Sequence, residues 1–300
     1  MNLSNKLFPV LAILVLFGIT VVAQEHGELL RFNDALNLDV TIRETAADKT
    51  AEFVIFQSLP SARSAAAFNR ILFNGMLADQ NVTLQIRFEN QNGQWNEWQN
   101  TEIKIFENGR FWARFDLENS ATQRIQYRFV DTGISAPARI EIYAIEGLDV
   151  KHEHQSSAES EPAAPNRTTF AKMDTVPQPA IISRSQWGAN PPNGTYVPHS
   201  PFRFAQHHTA GRRVSTQADG IAEMQFIQDF HQNGRGWQDI GYHFCIDDAG
   251  RIYEGVPPDF RGTHAGGNNT GNIGISYMGN FHVSGEFPTQ AALDLSLIHI

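Results

Sequence analysis

Two adjacent histidines, His207 and His208, follow the short apolar run Phe204-Ala205 and precede Thr209-Ala210-Gly211. This order places two imidazoles at the end of a strand, just where the chain turns into a loop. Neutral imidazole is the commonest nitrogen ligand of zinc, and a catalytic zinc uses three protein ligands and keeps a fourth position for water. A strand-end pair of this kind is also common as a surface or hydrogen-bonded feature, so any chemistry depends on its neighbours. Gly236-Trp237-Gln238-Asp239-Ile240-Gly241-Tyr242-His243-Phe244 brings a tryptophan, a tyrosine and a further histidine into the same segment of chain. No G-x-S-x-G nucleophile elbow and no H-E-x-x-H helix occurs, which leaves the serine-hydrolase and zinc-protease patterns without support.

The 300 residues are enough for about two domains, and 41% apolar with 18% charged residues is ordinary globular composition. The net charge of -9, with no run among the 23 Lys and Arg residues, argues against nucleic acid as a partner. Cys245 is the single cysteine, so there is no disulfide framework, and its setting in Tyr242-His243-Phe244-Cys245-Ile246 reads as a small packed hydrophobe.

The elements that must position these residues follow from hydrophobic periodicity. Lys6 and the apolar run Leu7 to Val22, ending at Ala23, read as a signal peptide over 1–23, so the mature protein is expected to be secreted, periplasmic or extracellular, without stable membrane insertion after cleavage. Residues 27–148 alternate apolar and polar, as in Thr83 to Phe88, Gln123 to Phe129 and Ala138 to Tyr143. Turn pairs Asn92-Gly93 and Asn108-Gly109 lie between them, so an all-β antiparallel sandwich is expected. Trp95, Trp98 and Trp112 could make an aromatic platform for sugar or simply belong to its core. Residues 149–178, rich in Ser, Glu and Pro, read as a disordered linker.

From 179 to 300 the pattern changes to strands interleaved with helices. Ser215-Thr216 supplies an N-cap, after which Ile221, Met224, Ile227 and Phe230 share one helical face. Asp247-Asp248-Ala249-Gly250 reads as a hairpin turn, and Asn272 to Met278 as a further strand. The expected architecture is therefore multidomain: a β-sandwich followed by an α/β domain with a central mixed sheet flanked by helices.

Arg184-Ser185-Gln186-Trp187-Gly188-Ala189, His207-His208-Thr209-Ala210, Phe230-His231, Gly236 to Phe244, Gly250 to Gly255, His264-Ala265-Gly266-Gly267-Asn268-Asn269, and Ile273-Gly274-Ile275 with Gly279-Asn280-Phe281 occur in one order. Together they resemble the zinc-dependent N-acetylmuramoyl-L-alanine amidases and the peptidoglycan recognition proteins, over about Ala180 to Phe287. The resemblance implies peptidoglycan as partner, its glycan strand and stem peptide, and Zn2+ as cofactor. It implies His207 as a metal ligand, with His208 as fallback, and Tyr242 as the catalytic donor to a developing oxyanion. His208, Thr209, His231, Trp237, His264 and Asn269 are implied as substrate-groove positions. Arg235 could meet a stem-peptide carboxylate, or be an exposed loop arginine.

Two departures matter. Ser276 stands where a cytosolic branch of the family carries a glutamate base, which favours the secreted branch. The family's remaining ligands, a second histidine and a cysteine or aspartate, are expected beyond Ile300, so these 300 residues alone should bind zinc poorly. Two functions follow: hydrolysis of the amide between N-acetylmuramic acid and L-alanine, or peptidoglycan binding without catalysis.

Overall fold

A computed structural model of the chain describes residues 27–29, 37–40, 53–77, 81–118, 120–131, 138–150, 179–281 and 285–298. The expected signal peptide and all but the first residues of the expected linker lie outside the described residues.

The alternating segments form two antiparallel sheets. One runs in the order β1 (Gly27–Leu29), β10 (Ala138–Leu148), β4 (Arg70–Leu77), β8 (Arg110–Asp116), β7 (Glu102–Ile105), with β2 (Asn37–Val40) also on β10. The other runs β3 (Phe53–Gln57), β9 (Ile125–Asp131), β5 (Val82–Phe88), β6 (Gln99–Asn100). Ile71, Phe73 and Phe111 of the first sheet share a core with Leu84, Ile86, Tyr127 and Phe129 of the second, as period-2 alternation requires. Gly93 (φ 77°) and Gly109 (φ 79°) occupy the left-handed region in the two turns read from the sequence.

The three tryptophans proposed as a sugar platform do not share a surface. Trp112 is buried and donates from Nε1 to Asp229 at 2.8 Å. Trp95 and Trp98 are half-buried beneath guanidinium groups: Arg87 lies 5.4 Å and 4.7 Å from the two ring centres, Arg124 lies 5.9 Å from Trp95, and Arg128 lies 4.5 Å from Trp98.

The C-terminal residues build a mixed five-stranded sheet, β11 (Ile181–Ile182), β14 (Ile252–Glu254), β13 (Phe244–Ile246), β15 (Asn272–Tyr277), β12 (Arg203–His208). β12, β15 and β13 are parallel, while β13 and β14 form the expected hairpin, with Gly250 (φ 83°) donating to Asp247 O at 2.9 Å. Helix α1 (Arg184–Trp187) carries a capping box from Ser183. Helix α2 (Gln217–Asp229) is N-capped by Thr216, whose Oγ1 accepts from Asp219 N at 3.1 Å; of the face read from the periodicity, Met224, Ile227 and the C-cap Phe230 are buried and Ile221 is partly buried. Helix α3 spans Gln290–Ile298. Cys245 is fully buried, and that burial raises its thiol pKa. Among the described residues, no helix is long and apolar enough to cross a membrane.

One element differs from the expected pattern. The helix does not stop before His231 but continues as a π-helical turn, Phe230–Arg235, closed by Gly236 in the left-handed region (φ 84°). A π-turn widens the helix by one residue and is frequent at functional sites. Here it carries His231 inward, where a helix ending earlier would have left it in a loop.

Candidate functional site

Adjacent strand residues face opposite sides of a sheet, and this separates the two histidines at the end of β12. His207 lies against Tyr242, with ring centres 5.7 Å apart, and against His264, 5.1 Å away. On the other side, His208 Nδ1 accepts from Phe281 N at 3.0 Å. Thr209 Oγ1 accepts from Gly279 N at 3.0 Å, fixing the turn after the strand.

The π-turn and the Gly236–Tyr242 segment close the site from the other direction. Buried His231 accepts at Nδ1 from Gly241 N, 3.0 Å, and its ring lies 4.7 Å from Trp237 and 5.7 Å from Tyr242. Tyr242 is thus flanked by His207 and His231. His264 is held from its own loop: Asn269 Oδ1 accepts from His264 N and Ala265 N at 2.7 and 2.8 Å. Asn269 therefore shapes the loop that presents His264.

These contacts fix the imidazole protons. His264 Nε2 lies 3.1 Å from Asn272 O, a carbonyl that can only accept, so Nε2 carries the proton. His264 Nδ1 is then an acceptor, and His207 Nε2, 3.0 Å away, is its donor. The lone pair of His207 is left on Nδ1. Burial lowers the pKa of His207 to about 4 and that of His264 to about 3, where the neighbouring His207 and His243 add to the effect. His231 is likewise pushed well below its usual value, by burial first and by Arg235 second. All three rings are neutral at pH 7.

Arg235 is not an exposed loop arginine. It is buried, and Nη2 donates to both carboxylate oxygens of Glu146 at 2.7 and 2.6 Å. The guanidinium is thereby committed to the N-terminal sheets.

A second pair of histidines, not singled out from the sequence, lies behind the site. His199 and His243 stack with ring centres 5.6 Å apart and planes 5° from parallel, and His243 meets His264 edge to face at 5.5 Å. Each is clamped: His243 Nδ1 accepts from Gly274 N and His199 Nδ1 from Gly271 N, at 2.9 and 3.1 Å. His243 could be suspected from its place beside Tyr242; His199, in a loop between prolines, gave no signal.

A catalytic zinc needs three protein ligands. His207 Nδ1 suits one coordination position. Among the described residues, no group of three His, Cys, Asp or Glu side chains is placed to hold a metal ion. The described residues alone therefore do not complete a three-ligand zinc centre.

A family model described as N-acetylmuramoyl-L-alanine amidase matches residues 199–297. The chain is 38% identical over 129 residues to peptidoglycan-recognition protein SD of Drosophila melanogaster, an alignment covering 42% of this chain and 67% of that protein. The chain belongs to this family. It is also 37% identical over 120 residues to an N-acetylmuramoyl-L-alanine amidase of Mus musculus, covering 39% of this chain and 22% of that one. The crystal structure of the Drosophila SD protein aligns with 37% identity and a TM-score of 0.36, over 39% of this chain and 69% of that one. The family's blocks coincide with the site: the His207 strand, the π-turn with Trp237 and Tyr242, and the His264 loop all lie within the matched residues.

The loop clamp yields a prediction. Asn269→Ala leaves two buried N–H groups without their acceptor and should cost about 2 kcal/mol in urea unfolding, whereas Asn269→Asp, which keeps the acceptor oxygens, should stay within about 1 kcal/mol of the parent.

Proposed function

We propose that the His207–His231–Trp237–Tyr242–His264 cluster binds the muramyl-peptide part of peptidoglycan. The observation that carries this reading is Tyr242 held between two neutral, hydrogen-bonded imidazoles, with the half-buried Trp237 beside them. Such a site offers apolar faces to sugar and peptide and a few placed polar atoms for orientation. Uncharged rings also suit a substrate whose sugar and amide groups are neutral. Arg235 is left out of the ligand set because Glu146 already holds it.

A second reading, hydrolysis of the amide between the lactyl group of N-acetylmuramic acid and L-alanine, is favoured by the His207–His264 hydrogen bond, which orients the His207 Nδ1 lone pair. Zn2+, when bound, would supply an activated water and polarise the scissile carbonyl. His207 would be one ligand, the described residues do not complete the set, and Tyr242 would donate to the oxyanion. We also read residues 1–23 as a secretion signal and 27–148 as a β-sandwich accessory domain, which places the protein outside the cytoplasm with its target.

Co-sedimentation with purified insoluble peptidoglycan tests the first reading. The chain should pellet with the wall, and Trp237→Ala should weaken retention about tenfold, as loss of one buried aromatic contact does. A chain that stays in the supernatant removes the proposal. Zinc content near one per chain together with released stem peptides would select hydrolysis; retention without either would select recognition alone.

A further inference from the structure

The face of the first N-terminal sheet that points away from its own core is covered. Leu72, Trp112 and Leu148 belong to the same apolar cluster as Phe226, Ile227 and Phe230 of α2 and the π-turn. Within that seam Arg110 and Glu223, 1% and 0% exposed, lie 3.1 Å apart. Both halves of the chain therefore share one buried interface.

Its polar contacts concentrate on the π-turn. Asp229, where the turn begins, accepts from Trp112 Nε1 at 2.8 Å and is paired with Lys104. At the far end, Asn233 O accepts from Arg114 Nη1 at 2.6 Å and Arg235 O from Arg70 Nη1 at 3.1 Å. The last carbonyls of a helix have no partner within it and carry the negative end of its dipole, so two guanidinium groups are well matched to them. Glu146 holds the Arg235 side chain. A π-turn has poorer intrinsic geometry than an α-helix and persists where its surroundings determine it. Its opposite side carries His231, which grips Gly241 N and packs on Trp237 and Tyr242.

We infer that the N-terminal sheets are a fixed docking partner of the π-turn, and that Arg70, Arg114 and Glu146 are positioning residues for His231, Trp237 and Tyr242. This rests on the proposed binding site for its functional consequence, but not for the contact itself. The N-terminal region thereby sets the shape of the site through the π-turn.

The test uses the full chain with Glu146→Gln and, separately, Arg114→Gln, both away from the site. Amide hydrogen exchange should quicken about tenfold across Asp229–Tyr242 while β13 and β15 keep their protection, an effect in the range of coupled neighbours. Affinity for a soluble muramyl tripeptide should fall by a similar factor, and Glu146→Asp should recover part of both. Unchanged exchange across Asp229–Tyr242 in both variants would overturn the inference. If the parent chain binds no muramyl tripeptide, the binding-site reading fails, and the exchange comparison still decides whether the sheets hold the turn.

Discussion

Glu223→Ala is expected to destabilise the protein by about 3–5 kcal/mol, the cost of leaving a buried charge without its partner. Arg110 is 1% exposed, donates from Nη1 to Gly75 O at 2.9 Å, and lies 3.8 Å from the centre of the Phe226 ring, so its charge stays buried when the carboxylate is removed. Burial lowers the Arg110 pKa and raises that of Glu223, and their mutual attraction opposes both shifts. The site is also tight, since a Cβ on Gly211 would come within 3.1 Å of the Arg110 guanidinium and 3.2 Å of the Glu223 carboxylate. Removing both charges should cost far less than removing one. In urea unfolding, the double variant Arg110→Met with Glu223→Leu should recover most of the loss, and single variants within about 1 kcal/mol of the parent would show that the pair is not buried as described.

The second large effect is on pH. Four histidines have folded-state values below the ordinary 6.5: His207 and His243 at about 4, His264 at about 3, and His231 well below, each chiefly through burial. A depressed histidine means that the folded state binds its proton later than the unfolded chain. Stability is therefore full above pH 6.5, falls as the unfolded chain takes up protons below it, and continues to fall until the folded rings titrate near 4 and 3. The hydrogen bonds give the structural reason. Nδ1 of His231, His243 and His264 accepts from Gly241 N, Gly274 N and His207, so a proton on any of them replaces an acceptor with a donor facing a donor. Interacting rings titrate as a group, and the summed loss between pH 7 and 4.5 should be several kcal/mol, comparable with a typical total stability of about 5–15 kcal/mol. Thermal unfolding at a series of pH values measures it. A midpoint unchanged from pH 7 to 4.5 would contradict the neutral network.

Much of the local structure was legible from residue order. Alternation gave the strands, and the glycines at 93, 109 and 250 gave turns that need positive φ. Thr216 and the Met224–Ile227–Phe230 spacing gave α2, and the turn after Thr209 put His207 at a strand end. The pairing of the site was not legible. Which of His207 and His208 faces Tyr242 depends on strand parity relative to a sheet whose neighbours are distant in sequence. The π-turn was missed because one extra residue per turn leaves no mark in an apolar periodicity. The seam was missed for a different reason: Arg110, Glu146, Glu223 and Arg235 are charged, and charge in a sequence reads as a solvated face. Only long-range packing shows that each is neutralised by another from the opposite half of the chain. Arg235 illustrates the consequence, since a residue suited to a carboxylate on the ligand has found one on the protein.

The central claim is that the cluster around Tyr242 takes a muramyl peptide, and titration of isotope-labelled protein followed by NMR tests it most directly. The chain has five tryptophans, so five indole N–H signals report on separate places. Addition of muramyl dipeptide should move the Trp237 indole and the imidazole signals of His231 and His264, and leave Trp95 and Trp98 where they are. Shifts confined to Trp95 and Trp98, with Trp237 still, would place the binding on the N-terminal sheets and contradict the account.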